Sequence, residues 1–139
     1  MSNILFEFTA DAPIEAVYKA LTEKVGIQGW WTKDTRIEPK VGAEAYFGFG
    51  PHGHFSFNVT ALEPNKHVEW ETVVGMPDWG GTRVVFTLSE AENGTKVHFA
   101  HRNFGSEDGT FATVSYNWAF FMFSLKSYLE TGEGTPVGA

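Results

Sequence analysis

A chain of 139 residues with a formal net charge of -7 suits one domain and lacks the basic footprint that nucleic acid or an anionic membrane surface requires. The absence of cysteine excludes a disulfide framework, a thiolate nucleophile and a Cys-based zinc site. The chain is instead rich in rings, with 13 Phe, 5 Trp and 4 Tyr, and it shows neither a secretory signal nor an apolar run of membrane-spanning length, so a soluble, cytoplasmic protein is expected.

Ile4, Phe6 and Phe8 alternate with Leu5, Glu7 and Thr9, the period-two pattern of a strand with one buried face. A helix follows, capped at Asp11 or Ala12, with Pro13 in its first turn and Ile14, Val17, Tyr18 and Leu21 as its apolar stripe. A second, shorter helical piece is broken up by Gly26 and Gly29 and ends in Trp30 and Trp31. From residue 43 the period changes to two. Strands are predicted at Ala43 to Phe49, His54 to Leu62, His67 to Val74, Thr82 to Glu90 and Thr95 to His101. Each is separated from the next by turn residues, of which Asn93-Gly94 is the strongest hairpin signal. That makes six strands, with room for a seventh between Lys33 and Val41. A long helix is predicted over Phe111 to Thr131, because Phe111, Val114, Trp118, Phe121, Met122, Leu125 and Leu129 return to one side of it. Residues 132–139 are small, polar and Gly-rich, and are expected to be a flexible tail to a single domain of residues 1–131.

An antiparallel sheet followed by one long helix with an aromatic stripe implies a helix laid on a curved sheet. Four segments then resemble a known family: Ala12 to Thr22, Gly29-Trp30-Trp31-Thr32, Glu38 to Ala43, and Gly94-Thr95-Lys96-Val97 running to His101, with the Trp118 to Leu129 helix in the same pattern. The chain resembles the START-like or SRPBCC helix-grip superfamily, and within it the domain family of homologues of the activator of the heat-shock chaperone ATPase. Ala43 stands where many relatives carry a second glycine. The resemblance implies an α+β, Bet v allergen-like fold: a curved antiparallel sheet of six to seven strands, two short helices after the first strand, and the last helix across the concave face. Members of the superfamily include ligand carriers, polyketide cyclases and aromatase-like enzymes, hydroxylase-associated domains and chaperone regulators. Fold alone does not choose among these.

Side-chain alternation nominates the inward rows: Phe55, Phe57 and Val59, then Val68, Trp70 and Thr72, then Val84, Phe86 and Leu88, faced by Trp118, Phe121, Met122 and Leu125 of the helix. Either these rings enclose a cavity for an apolar or aromatic ligand, or they touch one another and fill a core. His101 is in phase with Val97 and Phe99 and therefore faces inward, as a structural histidine or as a ligand contact. Trp31 forms the cavity mouth or, with Trp30, anchors the short helix. The candidate ligand-binding set is Trp31, Tyr46, Phe55, Phe57, Trp70, Phe86, Phe99, His101, Trp118, Phe121 and Met122.

No catalytic constellation, metal site or cofactor motif is assigned. His52-Gly53-His54 puts two imidazoles on one face of an extended backbone, but no third ligand lies near, and an exposed loop is the simpler reading. Asp34, Glu38, Glu44, Glu69 and Glu71 supply carboxylates, but Glu69 and Glu71 are out of phase with Trp70 and read as a solvated outer face, leaving His101, Tyr46 and Asn117 as the polar groups available inside. Tyr116, Phe120 and Phe123 recur at i, i+4 and i+7 on the other side of the last helix, where a simple sheet-packing helix is polar. They are covered by early strands or loops, or they form a homodimer surface. Three functions follow in order: binding of a small apolar ligand, a cyclase or dehydratase reaction in the same cavity, and regulation of a chaperone ATPase by protein interaction.

Overall fold

The turn residues of the second half fold the chain into an antiparallel meander, and the computed structural model describes residues 1–138 of it. The elements in chain order are β1 (Ser2–Ala10), α1 (Ile14–Thr22), α2 (Lys24–Trp30), β2 (Asp34–Arg36), β3 (Glu44–Gly48), β4 (His54–Glu63), β5 (His67–Val74), β6 (Arg83–Ala91), β7 (Gly94–Phe104) and α3 (Phe111–Thr131). A 3-10 turn, Gly50–His52, joins β3 to β4. The seven strands form one antiparallel sheet in the order β1-β7-β6-β5-β4-β3-β2. This is the helix-grip fold, with α3 packed against β1, α1 and α2.

The seventh strand, for which the sequence leaves room between Lys33 and Val41, is β2, three residues long. Other local details differ from the sequence reading. Pro13 is the cap residue of α1 rather than part of its first turn. The β6–β7 hairpin turns on Glu92 and Asn93, because Gly94 already pairs with Ala91. Gly94 has φ of 138°, and a Cβ there would run into the carbonyl oxygen of Ala10, so both backbone and space demand glycine.

Several of the residues described after α3, a segment expected to be loose, hydrogen-bond to the body of the fold. Gly132 ends the helix in the left-handed conformation. The buried Ser124 hydroxyl donates to the Trp30 carbonyl at 2.7 Å and accepts the Thr135 N–H at 2.7 Å. Val137 then pairs with the residues that follow α2, its N–H donating to the Trp31 carbonyl and its carbonyl accepting the Lys33 N–H, both at 2.9 Å. Among the described residues no helix is long and apolar enough to cross a membrane.

Candidate functional site

The centre of the grip is filled by a tryptophan. Trp31 follows the last residue of α2, whose other tryptophan, Trp30, is fixed by its indole N–H donating to the Ala20 carbonyl at 2.8 Å. From that anchored end the Trp31 ring reaches between sheet and helix. Its centroid lies 4.4 Å from Phe47, 5.0 Å from Trp118 and 6.2 Å from Trp70, nearly parallel to the last. Beneath it Phe57, Trp70, Phe86 and Phe99 are completely buried and pack on one another at 5.2–5.7 Å. Met122 is buried in the same core. The inward rows read from alternation are therefore inward, but beneath Trp31 they form a packed interior rather than a wall.

The open space lies to one side of this core, toward the first turns of α3. It is a cavity of about 570 Å³. Its walls come from Val114, Asn117, Trp118 and Phe121 of α3, Phe49, His52 and Phe55 around the β3–β4 turn, Met76 and Trp79 of the β5–β6 connection, Val137 of the folded-back tail, and Trp31. Tyr116 and Phe120 border it as well. Of the candidate set, the structure brings Trp31, Phe55, Trp118 and Phe121 to the cavity. Phe57, Trp70, Phe86, Phe99, His101 and Met122 stand behind them.

Tyr46 is a correction. Alternation in β3 turns Ala45 and Phe47 into the core, so Tyr46 projects from the opposite face. There it stacks on His54 at 4.9 Å, with the Arg36 guanidinium 4.5 Å from its ring. His52 and His54 are likewise separated, one bordering the cavity and the other lying under Tyr46.

His101 is completely buried, with both ring nitrogens engaged. The Trp118 indole, which can only donate, gives its N–H to Nδ1 at 3.0 Å, so the proton sits on Nε2 and is donated to the Thr82 hydroxyl oxygen at 3.0 Å. Thr82 in turn donates to the Trp79 carbonyl at 2.7 Å, which leaves Thr72 as donor in the 2.8 Å Thr72–Thr82 contact. Burial pushes the His101 pKa down to about 3, against a weaker upward pull from Asp78. A neutral imidazole with no free lone pair or spare proton does not shuttle protons. It fixes two cavity residues, Trp118 through the indole and Trp79 through Thr82.

Asp78 holds the other end of this wall. Its carboxylate accepts the Thr110 N–H at 2.8 Å and the Thr110 hydroxyl at 2.6 Å, tying the β5–β6 connection to the start of α3. Those Thr110 hydrogen bonds hold its pKa below the ordinary aspartate value. The buried indole N–H groups of Trp70 and Trp79 find no partner among the described residues.

Sequence reasoning missed Phe49, Met76, Trp79 and Val137 as wall residues. Phe49 was signalled by its phase with Phe47, two residues earlier. Met76 and Trp79 lie in a Gly-rich connection with no periodicity to read, and Val137 in a segment whose composition suggests a free end.

The family model described as Activator of Hsp90 ATPase homolog 1-like protein matches residues 11–130. No curated protein is significantly similar to the chain. Among solved structures, the solution structure of the Aha1 dimer from Colwellia psychrerythraea is 39% identical, with a TM-score of 0.89 over 96% of this chain and 100% of that one. The solution structure of the AHSA1-like protein from Aeromonas hydrophila is 20% identical, with a TM-score of 0.75 over 94% of both chains. DynU16, a protein in the dynemicin biosynthetic locus, is 22% identical, with a TM-score of 0.81 over 96% of this chain and 49% of that one. The last two likenesses concern the fold alone.

Proposed function

The chain belongs to the Activator of Hsp90 ATPase homolog 1-like family of START-like helix-grip domains, and from that premise we propose that it binds a small apolar or aromatic molecule in the cavity beside α3. The observation that carries this reading is the cavity itself: about 570 Å³, walled mostly by aromatic and apolar side chains. That volume is in the range of roughly 300–1,000 Å³ typical of small-molecule sites. Trp31, Phe55, Trp118 and Phe121 are the contact surface. Phe57, Trp70, Phe86, Phe99 and Met122 are the rigid backing that keeps it in shape, and His101 orients Trp118 rather than the ligand. His52, Asn117 and Tyr116 are the residues with polar groups at its edge.

The protein acts as a homodimer in this reading. Support comes from the dimeric Colwellia relative and from the second face of α3, where Tyr116, Phe120 and Phe123 are exposed rather than covered. The reading as a cyclase or dehydratase draws no support from His101, whose nitrogens are both occupied. Regulation of a chaperone ATPase remains a second reading, favoured by the family description and by the name of that relative. Stimulation of a purified Hsp90-type ATPase by this chain tests it directly, and an unchanged hydrolysis rate ends it.

Titration with the neutral fluorophore N-phenyl-1-naphthylamine tests the ligand site. Saturable binding is expected, weakened by about tenfold in Phe55→Ala, the cost of removing one good aromatic contact. Unsaturable fluorescence from the folded wild-type protein would refute the site.

A further inference from the structure

Tyr116 and Phe120 belong to two features at once. Both border the cavity, and both lie on the exposed stripe of α3, at 78% and 51% exposure. Phe123, at 75%, continues that stripe but takes no part in the cavity wall. The three rings leave about 400 Å² of aromatic surface exposed, half of what each partner contributes to a standard interface. From Phe111 to Leu125 the helix carries no charged side chain, although the chain as a whole has a net charge of -7. Two copies can therefore meet along this face without bringing like charges together, and a two-fold contact requires a face that is complementary to itself.

On the monomer, the cavity is bounded by packed side chains on its inner side and by Tyr116, Asn117 and Phe120 at its solvent edge, where Tyr116 and Asn117 project into water. A binding site whose edge is built from exposed rings is incomplete. We infer that α3 of a second copy of this chain completes the cavity, so that dimerisation and ligand binding are coupled. The two-fold axis crosses the Tyr116–Phe123 stripe, and each copy's rings cover the open side of the other's cavity. This rests on the reading of the cavity as a ligand site and of the protein as a homodimer. Coupling is reciprocal: a dimer that binds ligand more tightly is itself strengthened by ligand, by the same factor per site.

Phe123→Asp separates the two properties, because it puts a charge into the interface while leaving every cavity wall residue in place. Sedimentation velocity and N-phenyl-1-naphthylamine titration are run on both proteins, with circular dichroism melts to establish that the variant folds. The expected result is a dimeric wild type and a monomeric variant whose probe affinity is lower by about tenfold, within the usual range of coupling between sites. Wild-type affinity should also rise with protein concentration through the dimer transition. A monomeric variant that binds the probe as tightly as wild type overturns the coupling and leaves the ligand site standing. A variant that remains dimeric overturns the placement of the interface on α3. Saturable binding missing from a dimeric wild type refutes the ligand site, and the inference with it.

Discussion

Lowering the pH from about 7 to about 5 should cost this protein stability chiefly through one side chain. His101 has a folded-state pKa of about 3 because it is buried, against 6.5 for an ordinary histidine. Well above the ordinary value, both folded and unfolded states hold the imidazole neutral, and the group makes no pH-dependent contribution. Between the two values the unfolded chain takes up a proton that the folded protein refuses, and each pH unit removes about 1.4 kcal/mol. At pH 5 the loss amounts to about 2 kcal/mol, and it saturates near about 5 kcal/mol once the folded state also protonates. Glu69 and Asp78 are among the carboxylates that titrate further down. Burial raises the Glu69 pKa, but hydrogen bonds from Thr60, His67 and Arg83 lower it more, and Thr110 lowers Asp78. Their stabilising effect is present above the ordinary carboxylate range of about 4 and is lost below it. Urea unfolding of wild type and His101→Gln at both pH values is the assay. Glutamine can still accept from Trp118 and donate to Thr82 but does not titrate, so wild type should lose about 2 kcal/mol more than the variant. Equal losses in the two proteins would refute the assignment of acid sensitivity to this histidine.

Two further changes probe the packing around the cavity. Trp31→Ala removes the ring that fills the grip and should destabilise the protein by about 3–5 kcal/mol, read from urea midpoints, while enlarging the space open to the fluorophore. A small change in midpoint would mean that the neighbouring rings collapse into the gap. Ser124→Ala removes the hydroxyl shared by Trp30 and Thr135 and should cost about 1–2 kcal/mol, with faster amide exchange at Thr135 and Val137 by mass spectrometry. Unchanged exchange there would show that Val137 holds the tail without Ser124.

Regular elements were legible because a period repeats. Phe57, Trp70, Phe86, Phe99 and His101 all face inward as their alternation required, and the α3 stripe buries Val114, Trp118, Met122 and Leu125. β2 was visible only as a possibility, since three residues carry no period. Tyr46 was misplaced by chemistry outweighing phase: its neighbours Ala45 and Phe47 face inward together, and that pair already assigned it to the outer face. The position of the cavity could not be read, because it depends on where one side chain at a helix end goes. Trp31 turns inward against Phe47 and Trp70, and the open space lies toward Met76 and Trp79. The contacts of residues 132–138 were not legible because they are made largely by main-chain N–H and C=O groups, which small polar residues neither advertise nor forbid.

The sheet order also determines when the protein can finish folding. β1 comes first in the order of strands, yet among the described residues it pairs with β7 alone, with Ile4 paired to His101 and Ala10 to Thr95. The last helix fastens the same strand, through Lys126 to the Thr9 carbonyl and Glu130 to the Asp11 N–H. During synthesis, Ile4, Phe6 and Phe8 therefore wait without a sheet while the β3–β7 hairpins assemble from local contacts. Closing a loop of this length carries an entropic cost that grows with the logarithm of the residues enclosed, and pairing across long sequence separations slows folding. The rate-limiting event should be the docking of the chain's beginning onto its end, and destabilising substitutions in β1 should accelerate unfolding more than they slow the formation of the meander.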